Sequence, residues 1–285
     1  MTKIKGTIIK GIGGFYYVVD AQGVVHECKA CGRFRKENIK PLVGDVVEFQ
    51  SQNNLEYGFV ENILPRKNQL LRPEVANIDL LMIVVSASTP HVDFTLCDKL
   101  LIQAEKAGID QLLCINKMET DKKTVAEMQK QYAAYDQIAV SAHERLGMEQ
   151  FREAVRGKCV CLTGQSAVGK SSIINVLDES LGLQVGGLSK KTARGRHTTR
   201  TTELLPISKL DALVFDTPGF SILDVSDIPK EELGWYYKEF EEYGGHCKFA
   251  SCVHNKEPGC AVKDAVKQGK IDKSRYDRYI SLLTN

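Results

Sequence analysis

No stretch of this 285-residue sequence approaches the roughly 20 consecutive apolar residues that a membrane-spanning helix needs. A membrane partner is therefore not expected. No apolar run follows the opening Met1-Thr2-Lys3-Ile4-Lys5, so a secretory leader is not expected and the cytoplasm is the default location. Thiols stay reduced there, and the nine cysteines need an explanation other than disulfides. Charge of one sign is scarce too. A formal net charge of +2 does not require a polyanion partner, so local clusters must carry that argument. Helical periodicity is missing from residues 1–72, which excludes a helical N-terminal domain.

What is present is ordinary in bulk: 43% hydrophobic and 26% charged residues, as in soluble globular proteins of two or three domains. Residues 1–72 hold five short β-like runs: Gly6 to Lys10, Phe15 to Val19, Val24 to Cys28, Val46 to Gln50 and Gly58 to Ile63. Gly, Asn and Asp punctuate them, so a small OB-fold barrel is the expectation. Eleven basic residues stand against seven acidic ones, with Phe15, Tyr16, Tyr17 and Phe34 among them. Basic groups interleaved with aromatics suit RNA, through phosphate contacts and base stacking; a solvated barrel with core aromatics is the plainer alternative. Cys28 and Cys31 form a lone C-x-x-C. Without a second pair they are expected to be two half-buried thiols rather than a metal site.

From residue 73 to 225 apolar runs alternate with helical spacing. That pattern predicts a parallel sheet covered by helices on both faces. Within it, Gly164-Gln165-Ser166-Ala167-Val168-Gly169-Lys170-Ser171-Ser172 fits G-x-x-x-x-G-K-[ST], the phosphate loop of nucleotide hydrolases. Its glycines let successive N–H groups turn onto a phosphate, Lys170 can reach the outer phosphates, and the Ser171 hydroxyl can ligate Mg²⁺. The apolar run Lys158 to Leu162 precedes it and a helix from Ser171 to Leu177 follows, the context a phosphate loop requires.

Residues 226–285 read as a third unit. Cys247, Cys252, His254 and Cys260 lie within fourteen positions and form a plausible tetrahedral zinc set that would replace a missing core. His246 is a competing ligand; buried free thiols are the alternative. Ala261 to Gln268 and Ile271 to Leu283 read as closing helices, where Arg275, Tyr276, Arg278 and Tyr279 either pack or face RNA.

Three further segments resemble the motifs of the GTPase superfamily. Asn116-Lys117-Met118-Glu119 looks like the guanine motif N-K-x-D, Ser141-Ala142 like its supporting S-A, and Asp216-Thr217-Pro218-Gly219 like the γ-phosphate sensor D-x-x-G. In the usual order the phosphate loop comes first. Here the guanine segment and Ser141-Ala142 precede it, which resembles a circular permutation. An OB-like barrel, a permuted GTPase and a Cys-His tail together closely resemble the bacterial ribosome small-subunit-dependent GTPase A family. The stretches Arg72 to Asp79, Gly195 to Thr199 and Cys247 to Val262 carry the likeness.

The resemblance implies an N-terminal OB-fold β-barrel, a central circularly permuted α/β P-loop GTPase domain and a mostly helical zinc-binding C-terminal domain. It implies slow GTP hydrolysis to GDP, stimulated by the small ribosomal subunit, and binding to that subunit's rRNA by a monomer late in assembly. Asn116, Lys117, Glu119, Ser141 and Ala142 would form the base pocket, and the loop from Gly164 to Ser172 would hold phosphates. Ser171, Thr199 and Asp216 would hold Mg²⁺, with the Gly219 amide on the γ-phosphate. One structural zinc would sit on the Cys-His set. Glu119 departs from the pattern's Asp and adds a methylene to the group that reads guanine. Glutamine, the water-orienting residue of many GTPases, is absent after D-x-x-G, where Phe220 stands. His197 is the candidate for that role, or else a loop residue near RNA or Mg²⁺. Lys190, Lys191, Arg194, Arg196 and Arg200 run without an acid from Ser189 to Thr202, as a segment docking on RNA would. A passive RNA binder with a vestigial site, and a P-loop enzyme using ATP or a small molecule, are the competing readings.

Overall fold

The computed structural model describes residues 3–50, 57–183, 202–217 and 223–284. Five strands open the chain: β1 (Ile4–Ile12), β2 (Phe15–Asp20), β3 (Val25–Ala30), β4 (Val46–Gln50) and β5 (Gly58–Ile63). They pair in the order β1-β2-β3-β5-β4, and β4 returns to β1, closing a barrel. Closure of five strands with this crossover is the OB-fold arrangement expected from the sequence. Alternate residues point inward, so Ile8, Val18, Cys28, Val47, Phe49 and Val60 fill the core. One feature differs from the expected all-β segment: a five-residue helix, α1 (Gly32–Lys36), which is too short to show a period and plugs Phe34 into that core. Of the two thiols expected to be half-buried, Cys31 is, but Cys28 is fully buried because its side chain points into the barrel core.

A two-stranded hairpin, β6 (Gln69–Leu71) and β7 (Glu74–Ala76), leads from the barrel into the second sheet. The barrel loop before β4 sits against it, with Val43 bridged to Val75. Gly44, at φ +94°, is required there: a Cβ would lie 2.2 Å from the Ala76 carbonyl oxygen and 2.7 Å from Phe215 Cζ.

The second sheet is built from β8 (Leu80–Ser86), β9 (Asp110–Asn116), β10 (Gln137–Ala139), β11 (Cys159–Thr163), β12 (Glu203–Ile207) and β13 (Ala212–Asp216). Their order is β10-β9-β8-β11-β13-β12. Helices α2 (Phe94–Lys106), α3 (Lys122–Gln131), α4 (Met148–Val155) and α5 (Lys170–Leu177) cover it. Strand β8 is buried throughout. Its Leu81, Ile83 and Val85 pack with α2 and α3, while Leu80, Met82 and Val84 pack with α4 and α5. Two-sided burial explains its unbroken apolar run. The expected parallel order holds for five strands; β12 runs antiparallel to β13 instead. It is the return limb of a tight connection through a 3₁₀ turn at Ser208–Leu210. Its far edge receives β1, where Lys10 lies opposite Glu203 and pairs with it at 3.3 Å. Barrel and central sheet are therefore hydrogen-bonded as one.

The remaining residues form α6 (Glu241–Gly244), α7 (Ala261–Lys267) and α8 (Lys273–Thr284), preceded by 3₁₀ turns at Leu233–Tyr236 and Lys238–Phe240. Tyr237, Phe240, Val262, Ile271, Tyr279 and Leu283 make a separate core. RNA is not what the α8 side chains face: Arg275 and Tyr279 are fully buried. Arg275 pairs with Asp98 of α2 at 2.5 Å and with Glu239 at 2.6 Å, and Arg278 pairs with the same Asp98 at 2.6 Å. Tyr276 donates its hydroxyl to the His254 carbonyl at 2.6 Å. A buried aspartate on α2 captures both guanidiniums, because neither ion is stable in a dry interior alone.

Candidate nucleotide site and metal centre

The sequence motifs converge on one edge of the central sheet. Asn116 ends β9, Asp216 ends β13, Ser141-Ala142 follows β10, and the loop Gly164 to Gly169 joins β11 to α5. All lie at carboxyl ends of parallel strands, where ligands bind in open α/β sheets. His197, Thr199 and Gly219 lie outside the described residues, as do Phe220 and the basic run Lys190 to Arg200.

Lys170, Ser171 and Ser172 open α5, whose N-terminal N–H groups face the loop and favour an anion. Two glycines make the loop possible. At Gly164, φ +134°, a Cβ would stand 2.2 Å from the Val84 carbonyl oxygen; at Gly169, φ +104°, it would stand 2.2 Å from the Asn116 side-chain nitrogen. Ala167 also takes positive φ, at +64°. The Lys170 ammonium donates to the carbonyls of Gly164 at 3.0 Å and Gln165 at 2.8 Å. Burial holds its pKa down to about 8, and nearby Asp216 only partly offsets this.

Asn116 is buried and works in two directions. Its amide nitrogen donates to the Val168 carbonyl at 2.8 Å, and its oxygen accepts from the Ala142 N–H at 3.1 Å. One side chain thus joins the guanine-like segment, the Ser141-Ala142 turn and the phosphate loop. Ser141, fully buried, accepts from the Glu144 N–H at 3.0 Å and holds that turn. Lys117, at φ +61°, lays its side chain along the loop and donates to the carbonyls of Thr89 and Ala167. Burial lowers its pKa. Glu119 keeps one carboxylate oxygen buried and without a hydrogen-bond partner among the described residues. Ser166 and Ser171 are half-buried, and Asp216 is buried.

Sequence reading missed the groups that hold this loop from behind. Gln165 accepts from the Asp93 N–H at 3.1 Å, and Asp93 caps α2 through the Leu96 N–H at 2.9 Å. Thr217 donates to the Leu162 carbonyl at 2.7 Å. These are contacts between segments far apart in the chain, and no local pattern announces them.

In the tail, Cys247, Cys252, His254 and Cys260 bring their ligand atoms within 4.8 Å of one another. The Cys247 and Cys260 sulfurs are 3.9 Å apart, and His254 Nδ1 lies 3.5 Å and 3.4 Å from them. A zinc–sulfur bond of about 2.3 Å gives tetrahedral edges near those lengths, so the set fits such an ion. His254 takes φ +57° and is buried. Burial lowers its pKa and favours the neutral, ligating form. His246 is exposed and stands outside the group.

Comparison with known proteins agrees with this layout. A family model described as RsgA GTPase matches residues 63–226, and one described as RsgA N-terminal domain matches residues 5–60. The chain is 46% identical to "Small ribosomal subunit biogenesis GTPase RsgA" of Caldanaerobacter subterraneus subsp. tengcongensis, over 99% of this chain and 96% of that one. It is 44% identical to the protein of the same name from Ruminiclostridium cellulolyticum, over 97% and 92%. Among solved structures it is similar to YjeQ from Thermotoga maritima, with TM-score 0.81 and 35% identity over 99% of this chain and 98% of that one. YloQ, described as a circularly permuted GTPase, gives TM-score 0.77 and 35% identity over 99% and 94%. A guanine-like segment placed before the phosphate loop, a sheet that nevertheless reunites them, and likeness along nearly the whole length have one reading: the chain belongs to the RsgA GTPase family of GTP hydrolases.

Proposed function

We propose that this protein hydrolyses GTP while bound to the small ribosomal subunit and acts as a maturation factor of that particle. The names of its relatives as small ribosomal subunit biogenesis GTPases support the partner. The observation that supports the nucleotide chemistry is Asn116 joined to both the Val168 carbonyl and the Ala142 N–H, a link between the guanine-like segment and the loop Gly164 to Gly169.

In this reading the N–H groups of Gly164 to Gly169 and the Lys170 ammonium hold the β- and γ-phosphates. Asn116, Lys117, Glu119, Ser141 and Ala142 hold guanine. Lys117 covers one face of the base, and the buried Glu119 oxygen, which has no partner among the described residues, accepts from the ring N–H groups. Ser171, Thr199 and Asp216 would hold Mg²⁺, which when bound would neutralise charge on the transferred phosphoryl group. Gly219 contacts the γ-phosphate and His197 orients water. Cys247, Cys252, His254 and Cys260 hold one structural zinc. The barrel at residues 1–72 contacts rRNA, residues 73–225 carry the chemistry, and residues 226–285 form the metal-stabilised unit. The protein works in the cytoplasm as a monomer.

The test is phosphate release from GTP and from ATP by the purified protein, alone and with small or large subunits. GTP-selective release, slow alone at roughly 10⁻⁴–10⁻² s⁻¹ and raised only by small subunits, is expected. Equal use of ATP, or no response to small subunits, overturns the reading.

A further inference from the structure

The chain has a single tryptophan, and it is not in a core. Trp235 is 71% exposed, the most exposed of the large apolar side chains among the described residues. It stands on the 3₁₀ turn Leu233–Tyr236, held by its N–H to the Glu232 carbonyl at 2.9 Å. Beside it opens a cleft of about 360 Å³ whose lining includes Trp235, Glu241 and Gly244 and also Cys252 and His254 of the metal set. Tyr237 and Phe240 are buried, so what the space offers a cation is the Trp235 ring face and the Glu241 carboxylate, both of which attract positive charge.

The surroundings select the occupant further. From Asp227 to Gly245 the chain has six acids and two lysines. Asp227 is tied to Lys106 at 2.6 Å and Glu239 to the buried Arg275. Lys238 is turned away over the Tyr135 ring at 5.9 Å. Among the described residues Glu231, Glu232, Glu241 and Glu242 have no ion-pair partner. A polyanion approaching Trp235 would meet these four carboxylates against one exposed lysine, Lys230, so the patch is repulsive to an RNA backbone. An aromatic platform ringed by acids complements a basic polypeptide instead, and tryptophan is the side chain most often found anchoring such contacts.

We propose that the Trp235 cleft is a docking site for an arginine-rich segment of a partner protein, with one guanidinium entering between Trp235 and Glu241. The inference stands apart from the nucleotide reading, since none of these residues belongs to the loop edge of the central sheet. It separates the protein-contacting face of the tail from the RNA-contacting surface assigned to the barrel.

Because Trp235 is alone, its fluorescence reports this cleft only. The full-length, metal-loaded protein is titrated with a fluorescently labelled hexa-arginine peptide at low salt, reading both peptide anisotropy and Trp235 emission. Saturable binding with a change in Trp235 emission is expected. Trp235→Ala should weaken the peptide about tenfold and Glu241→Gln about threefold, while Trp235→Phe retains part of the affinity. Glu149→Gln, on α4, should change nothing. Equal peptide binding by wild type and Trp235→Ala overturns the proposal. So does a Trp235 signal that responds to single-stranded RNA and not to the peptide, or one that changes only with protein concentration, which would make the occupant a second copy. Thermal melting of Trp235→Ala at the wild-type temperature excludes misfolding as the cause.

Discussion

The Asn116 side chain donates to the Val168 carbonyl at 2.8 Å, so a residue at the end of β9 buttresses a loop that begins 48 positions later at Gly164. Gly169 lies against the same nitrogen, which leaves no room for a Cβ. Asn116→Ala should therefore cost two hydrogen bonds, about 1–3 kcal/mol in stability, and weaken GDP more than a base contact alone explains. Gly169→Ala should do the same from the other side by steric conflict. Fluorescent GDP titration with a parallel melt measures both; wild-type GDP affinity in Asn116→Ala would show that the buttress does not matter.

Glu119 offers a second test. Its buried oxygen has no partner among the described residues, a cost that a guanine N–H would relieve on binding. Glu119→Ala should lower GDP affinity by about 2–3 kcal/mol while leaving ADP affinity unchanged, and should not lower the melting temperature of the free protein. A parallel loss for GDP and ADP would assign Glu119 to loop structure rather than to base recognition.

Lys170 predicts a pH dependence with a defined sign. Its folded pKa, about 8, lies below the ordinary 10.5. Between those values the unfolded chain binds the extra proton, so the stability of the ligand-free protein gains from this group as pH rises across that window. Bound phosphates favour the charged ammonium and drive its reprotonation, so GDP affinity should fall above about pH 8 by up to one order of magnitude per pH unit. Calorimetric titration between about pH 7 and 9.5 checks this. Residual binding by Lys170→Arg, which cannot deprotonate, should be flat over that range; a flat wild-type profile would refute the linkage.

Asp98 ties α2 to the tail through two arginines, with Tyr132 donating to it at 2.5 Å. Asp98→Ala leaves the buried Arg275 with Glu239 alone and Arg278 without its carboxylate, and should cost about 3–5 kcal/mol. Arg278→Ala leaves Asp98 paired with Arg275 and should cost less. Thermal melts rank the two; equal or reversed costs would mean that the tail is held by its apolar core alone.

Removal of the metal should act on the tail first. A strong chelator, or Cys260→Ser, should release one zinc per chain and lower the tail's melting transition. The nucleotide affinity of the central domain should persist, because none of the four ligands touches the loop edge. Unchanged metal content in Cys260→Ser by mass spectrometry would redefine the ligand set.

Much of this layout is legible without coordinates, for reasons that differ by segment. The phosphate loop, the Cys-His set and the alternation of β8 with α2 are local: fixed spacing and unbroken apolar runs carry them, because the phosphate-binding turn, the tetrahedral ion and the two-sided strand each demand particular residues close together. The barrel is readable as five strands, but α1 is not, since one turn of helix has no period to detect. Strand β12 is missed because its partner, not its sequence, makes it a strand.

What only the tertiary structure decided is long-range pairing. The sequence shows Arg275 and Arg278 at helical spacing but not Asp98, some 177 positions earlier, waiting on α2. It shows Lys10 and Glu203 as unrelated charges, and the fold makes them the seam between barrel and sheet. It counts one tryptophan, and only the fold shows that the turn at Leu233–Tyr236 carries it into solvent. Local chemistry is written in order along the chain. Which buried charge meets which partner depends on desolvation in a packed interior, and that is settled only when distant segments close on each other.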